Sequence, residues 1–508
     1  MTEQEFRKSV ISEFRDKGYS KSVYQDFDEL LAAITCLLKI CIDRFITEVC
    51  MFKAPHDICA FIVQYNASNT SDQDTIAFKH LCKAIFTLIP KLRFSTTAKP
   101  LFPTTGVVDI SQLMGIHQIM MELTQSYGIV ITYQREIGRL FVSEDYWSFN
   151  FIDDVDYEAN CKFKQAVSDG ALAKYCEDDF VGETFIDTYR NVFKDIEGQL
   201  YDRIFNRHLF FDCDTLSEQD FINLISGNSP QPGIIDVTDI VLANRDNPCI
   251  KGLVFDEENS DLFMALTKPH NRKFRTRFRP FIQVSIDDNP HYVTTQGIYF
   301  EAMSEIGCAH FAHNELPDEW NSIQLLKKAA EATFKKHSDL LEDNVAAILD
   351  DRYSYLRNIT SLSNVSCKKA PAQLNGEIIP KKTVGEIDFI IVDDVLKCIY
   401  VVDAKFLKPT FFYPTFATDA DKFRKEGGYE DKLSYKIDWV SHNIQLLCQH
   451  IKRKDIAGYT VSVFFVTDNL VYYSLIAKFP IIPISNLLAY LKTQNRYCFL
   501  PESNTFDI

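Results

Sequence analysis

The chain has 508 residues, of which 46% are hydrophobic and 13% aromatic, and carries a formal net charge of −16. Composition this apolar excludes long disorder, and the length exceeds what one hydrophobic core supports, so about two to four domains are expected. The acidity excludes a protein that coats nucleic acid through overall positive charge, because phosphate binding relies on Lys and Arg. No run reaches about 18 uncharged apolar residues, and residues 1–8 lack the apolar stretch of a signal peptide, so a cytoplasmic protein with no membrane partner is expected. The 14 cysteines include no Cys-x-x-Cys pair, and several, such as Cys36, Cys41 and Cys448, sit in apolar runs, as reduced core thiols do.

In chain order, residues 26–49 and 110–127 carry helical apolar spacing and are separated by a Ser/Asn/Asp-rich loop at 66–74. Residues 1–145 therefore read as a mostly helical module. Over 146–320 the signals mix: 185–211 predicts a helix, 226–233 a loop, and 278–285 and 291–300 predict strands, giving an α+β region suited to regulation or substrate recognition. Within it, Arg275, Arg277 and Arg279 alternate with Phe274, Thr276 and Phe278. On a strand that alternation aligns the arginines on one side, where they could grip nucleic-acid phosphates or pair with acids of another domain or protomer. Cys308, His310 and His313 lack a fourth ligand at zinc spacing, which makes a metal there a weak reading. The segment 316–319 marks the boundary into a third part, 321–508.

That part holds the chemistry. Leu341, Val345, Ile348 and Leu349 predict a helix over 339–352, with Ser338 or Asp339 as N-cap and Glu342 bordering the apolar stripe. Residues 385–405 follow, reading Gly-Glu-Ile-Asp-Phe-Ile-Ile-Val-Asp-Asp-Val-Leu-Lys-Cys-Ile-Tyr-Val-Val-Asp-Ala-Lys. Apolar runs at 389–392 and 398–402 flank the polar pair Asp393-Asp394, which predicts a β-hairpin. Strand alternation then gives Glu386 and Asp388 one face, and Asp403 and Lys405 one face. Three carboxylates and an ammonium that converge suit phosphodiester hydrolysis: hard oxygens hold Mg²⁺ with positions left for water and phosphate, and the lysine orients water or offsets developing charge. Solvated charges on an edge strand are the bland alternative. A second helix over 433–451 and a strand over 459–466 complete the order helix, hairpin, helix, strand. Between 381 and 460 there are 13 Lys/Arg against 12 Asp/Glu, so the acidity lies elsewhere, and Lys408, Lys432 and Lys436 are candidates for a phosphate track.

The order and residues resemble the PD-(D/E)XK nuclease superfamily, the restriction-endonuclease-like fold, and within it Shedu-like defence nucleases. The resemblance covers roughly 325–470 and implies that Glu342, Asp388 and Asp403 bind Mg²⁺ or Mn²⁺, with the Ala404 carbonyl as a further ligand. It also implies that Lys405 positions the attacking water and that Gln445, in preference to Gln449, supports the lysine or the phosphate. Asp403 stands where many relatives have Glu, and Glu386 offers an additional carboxylate beside the set.

The combined expectation is a multidomain α+β protein with domains at 1–145, 146–320 and 321–508. The last would be a restriction-endonuclease-like α/β core whose central mixed sheet is flanked by helices. Its function would be that of a metal-dependent endonuclease, with DNA favoured over RNA, acting in antiviral defence, with a homo-oligomer or a partner protein as further possibilities. The alternatives are a noncatalytic nucleic-acid- or partner-binding scaffold, and a transposase-like end-cleaving subunit that needs a partner. No P-loop, nucleophile elbow or fixed-period repeat is present in the sequence.

Overall fold

The structure, a computed structural model, describes residues 2–67, 73–101, 110–166, 179–192, 196, 199–200, 203, 234–268, 271–350, 352–374, 377–408 and 413–500. Its secondary structure is mixed α/β, with helices beside both mixed and antiparallel sheets. Among these residues no helix is long and apolar enough to cross a membrane. The expected loop at 226–233 lies outside the described residues, as do the middle of the 66–74 loop and most of 201–211.

Contacts gather the chain into two compact units: Met1–Ile152 with Asp178–Thr333, and Asp153–Glu177 with Phe334–Ile508. In the first unit, helix Phe27–Val49 is capped by Asp26, whose carboxylate accepts from the Asp28 and Glu29 amides at 3.1 Å. Helix Ser111–Tyr133 runs past the expected end at 127. Strand Phe281–Ile286 pairs with Asn289–Thr294, and the second strand stops six residues short of the expected 300. The cause is local: the Thr295 hydroxyl accepts from the Ile298 amide at 3.0 Å and caps helix Gln296–Ser304.

The arginine row is not a strand. Arg272–Phe274 and Thr276–Phe278 form two 3₁₀ turns, so the period-two alternation of a strand does not apply. Arg279 is buried, donating twice to Glu319 at 2.8 and 2.9 Å and to the carbonyls of Lys251 and Val254. Arg277 pairs with Glu305 at 3.2 Å, and burial pushes the Arg275 guanidinium well below its ordinary pKa. These side chains tie the first unit together. His310, from the weak zinc motif, is held between Glu305 at 3.2 Å and Glu315 at 3.0 Å.

The second unit is a five-stranded sheet between helices. Its elements are α1 (Asp154–Ala166), α2 (Gln324–Leu349, which enters the unit at Phe334), β1 (Ser354–Ile359), β2 (Ile387–Asp393), β3 (Cys398–Lys405), α3 (Tyr413–Arg424), α4 (Tyr429–His442), α5 (Ile444–His450), β4 (Thr460–Thr467), β5 (Ile481–Pro483) and α6 (Leu487–Thr493). The sheet order is β5-β4-β3-β2-β1, antiparallel across β1, β2 and β3 and parallel across β3, β4 and β5. Central strands β2 and β3 are buried on both faces, which explains their near-continuous apolar sequence. Ile390, Val392, Ile399, Val401, Val463 and Phe465 turn to one face and pack against α3, α4 and α5 through residues including Phe423, Leu433, Val440 and Leu447. Phe389, Ile391, Tyr400, Val402, Phe464 and Val466 turn to the other and pack against α2 and α6 through Leu341, Val345, Leu349 and Leu487.

The hairpin turn forms where Asp393-Asp394 predicted it: the Asp393 carboxylate accepts from the Val395 and Leu396 amides at 2.9 Å, and Lys397 takes φ +53°. Two elements differ from expectation. Helix α2 begins well before 339, so neither Ser338 nor Asp339 is a cap. The predicted helix over 433–451 is broken at Asn443, whose side-chain amide donates to the Trp439 carbonyl and so competes with the helix ladder.

Candidate functional site

Asp388 is the second residue of β2 and Asp403 the sixth of β3. The ladder pairs Phe389 with Val402, and the same register carried one step further sets Asp388 opposite Asp403. Alternation turns both toward the α3–α4 face, together with Lys405. The Asp388 carboxylate accepts from the Ala404 amide at 2.8 Å, which stitches the strand ends together. The Lys405 ammonium lies 2.7 Å from Asp403, 3.8 Å from Asp388 and 3.0 Å from the Ala404 carbonyl oxygen. Asp403, Ala404 and Lys405 stand at the C-terminal end of β3, which runs parallel to β4, beside the start of antiparallel β2; that is the end at which open α/β sheets bind ligands.

A fifth residue completes the cluster. Lys436, on the buried face of α4 with Leu433 and Val440, forms an ion pair with Asp403 and lies 3.8 Å from Asp388. Sequence reasoning placed Lys436 on a phosphate-binding surface; it is 6% exposed and belongs to the aspartate pair. The signal was present in the pattern, since position 436 falls three after Leu433 and four before Val440, on the core stripe of the helix.

Burial and charge separate the two carboxyls. Burial pushes Asp388 up to about 7, reinforced by the neighbouring Asp403 charge. Asp403 is buried too, but Lys405 and Lys436 together outweigh burial and hold its carboxyl well below the ordinary range. Lys405 is raised above the ordinary lysine value, because Asp403 and Asp388 outweigh its own burial. The pair thus splits into a carboxyl poised near neutrality and one fixed as a carboxylate, a division that suits proton or cation chemistry.

Beyond Thr467, which pairs with Lys405, Asp468 accepts from the Leu407 amide at 2.9 Å, and burial pushes its carboxyl up to about 7. It anchors the chain as it leaves Lys405, and no sequence signal marked it.

Other expected residues lie apart. Glu342 projects from α2 toward Arg357 at 3.5 Å, and Arg357 pairs in register with Phe389, on the sheet face opposite Asp388. Burial raises the Glu342 carboxyl, with Arg357 opposing. Glu386 pairs with Lys368 at 3.5 Å. Gln445 and Gln449 are exposed on α5. Lys432 is exposed beside the Tyr429 ring, and Lys408 is half-buried just past β3.

Among the described residues no three His, Cys, Asp or Glu side chains gather in a way that could hold a metal ion. The oxygens that do converge are those of Asp388, Asp403 and the Ala404 carbonyl, and they converge on a cation, the Lys405 ammonium. Hard oxygens arranged around one positive point fit Mg²⁺ or Mn²⁺ chemically, with two carboxylates rather than three. No family model, curated protein or solved structure matches this chain.

Proposed function

We propose that the second unit is a metal-dependent phosphodiester hydrolase of the PD-(D/E)XK type, acting on nucleic acid with DNA favoured, in antiviral defence. One observation carries the reading: Asp388, Asp403, Lys405 and the Ala404 carbonyl converge at the end of two adjacent central strands. The sheet order, with an antiparallel hairpin joined to a parallel strand and helices on both faces, supports the same reading.

Asp388, Asp403 and the Ala404 carbonyl would hold the ion, which when bound polarises a phosphate oxygen and lowers the pKa of bound water. Asp403 stays ionised across the physiological range because two ammoniums face it. Lys405, freed from the aspartates, would position the attacking water and balance charge on the phosphoryl oxygens. Asp388, poised near neutrality, would have to lose its proton before it served as a ligand. The cluster lies at the ends of central strands, and Tyr429, 5.5 Å from the Lys405 ammonium at its ring centre, forms one wall.

A second reading is favoured by the lysine pairing: a noncatalytic scaffold in which Lys405 and Lys436 neutralise the aspartates permanently. Plasmid, linear DNA and RNA incubated with Mg²⁺ or Mn²⁺ separate the two. Hydrolysis by the wild type that falls at least about 100-fold in Lys405→Ala, within the range typical of losing a charge-stabilising group, supports the hydrolase. Equal cutting by both proteins, or by neither, removes it.

A further inference from the structure

We infer that Lys436 is a built-in cation filling one of two positions between Asp388 and Asp403, so that the pair takes a single divalent ion. The inference deepens the hydrolase reading and rests on it for the site's purpose, though not for its geometry.

The four side chains alternate in charge. Lys405 bridges Oδ2 of Asp403 at 2.7 Å and Oδ2 of Asp388 at 3.8 Å. Lys436 bridges the opposite pair of oxygens, binding Oδ1 of Asp403 and standing 3.8 Å from Oδ1 of Asp388. Two carboxylates with an ammonium on each side mark two cation positions, one per oxygen pair.

The positions are not equivalent. The Lys405 side chain is 21% exposed and that of Lys436 is 8% exposed. Lys405 is the last residue of β3, and the Ala404 carbonyl supplies a third oxygen on its side. Lys436 sits mid-helix between Leu433 and Val440, both fully buried, on the face of α4 that packs into the core. Withdrawing it would strand Asp403, itself 1% exposed, without a counter-charge on that side. A divalent ion can therefore replace the ammonium at the Lys405 position and not at the Lys436 position. Charge points the same way: with Lys436 retained, two carboxylates present a net charge of about −1, enough for one divalent ion and unfavourable for two.

Lys436 is accordingly a positioning residue whose signature is ion stoichiometry. The test is titration of the full chain with Mn²⁺, without nucleic acid, followed by calorimetry and electron paramagnetic resonance. The wild type is expected to bind one Mn²⁺, and Asp403→Asn to lose it. Lys436→Met, which keeps the shape and removes the charge, is expected to bind Mn²⁺ at least about tenfold more tightly, because a positive charge facing the same two carboxylates is lost. Lys436→Ala, which also frees the volume, is expected to admit a second ion with a spin-coupled spectrum, and Lys436→Arg to retain one. Two ions or none in the wild type, binding unchanged by Asp403→Asn, or affinity unchanged in folded Lys436→Met would overturn the inference. If the neutral variants fail to fold, the wild-type and Lys436→Arg stoichiometries decide it. Nucleic-acid cleavage is scored separately: one bound ion without hydrolysis ends the hydrolase reading and leaves this inference standing.

Discussion

At the residue scale, the most informative contrast is among three buried aspartates. Asp388 and Asp468 are both pushed up to about 7 by burial, whereas Asp403 is held low by its two lysines. A carboxyl raised on folding binds more protons in the folded state than in the unfolded one between the ordinary carboxylate value and about 7, so it costs stability as pH rises through that window. Asp403 has the opposite sign, and its contribution is lost only at strongly acidic pH. With a chelator present, thermal stability should therefore fall between pH 4 and 7. The combined Asp388→Asn and Asp468→Asn variant should flatten that slope, which a pH series of melting curves reads directly; an unchanged slope would show that neither carboxyl is raised. Sequence alone located Asp388, Asp403 and Lys405, because strand alternation is rigid enough to assign faces. It put Lys436 on the core stripe of its helix without naming the partner, and it could not locate Asp468 or the displacement of Glu342, since each depends on which face of the sheet a helix or strand end covers.

At the element scale, the site depends on the joint between α3 and α4. A Cβ on Gly428 would lie 2.6, 2.7 and 2.8 Å from the carbonyl oxygens of Phe423, Lys425 and Lys422, and Gly427 before it takes φ +71°. The close approach sets the start of α4 and, two turns on, the place of Lys436. Gly428→Ala should destabilise the second unit by about 2 kcal/mol, the usual scale for forced overpacking, and loosen the Lys436–Asp403 pair; denaturant unfolding checks it, and a change under about 0.5 kcal/mol, the surface-substitution scale, would show that the joint yields. The arginine row makes the complementary point. Because Arg279 satisfies Glu319 and two carbonyls from a buried position, Arg279→Ala should cost about 3 kcal/mol, as breaking a buried pair does. It should leave any nucleic-acid affinity of the remaining folded protein unaltered, and a binding titration at permissive temperature distinguishes this from a phosphate-gripping role.

At the scale of the whole molecule, the second unit draws on two separate stretches of the chain. Helix α1 belongs with the C-terminal unit, and from it the Phe163 ring meets Tyr472 edge-on at 5.0 Å and Phe416 at 6.0 Å, those two rings stacking at 4.2 Å. Phe163 is 1% exposed. Phe163→Ala should lower the unfolding free energy of the second unit by about 3–4 kcal/mol through cavity formation, with the first unit's transition unmoved. Two calorimetric transitions, only one of which shifts, would bear this out; a shift in both would show that the units do not unfold separately.

What the sequence determined by itself was the β2–β3 hairpin, its turn, the strand after α5 and the facing of Asp388, Asp403 and Lys405. Each follows from short-range rules: two-residue alternation, β-branched runs and an Asx turn, all written within about ten residues. Tertiary structure alone decided that 272–278 would coil into 3₁₀ turns, that α1 would join the C-terminal unit, that Glu342 would meet Arg357 on the sheet face opposite Asp388, and that a lysine on α4 would neutralise Asp403. Those outcomes turn on burial and long-range packing, where a charge is placed by the partner that receives it, and one sequence does not state which partner that is.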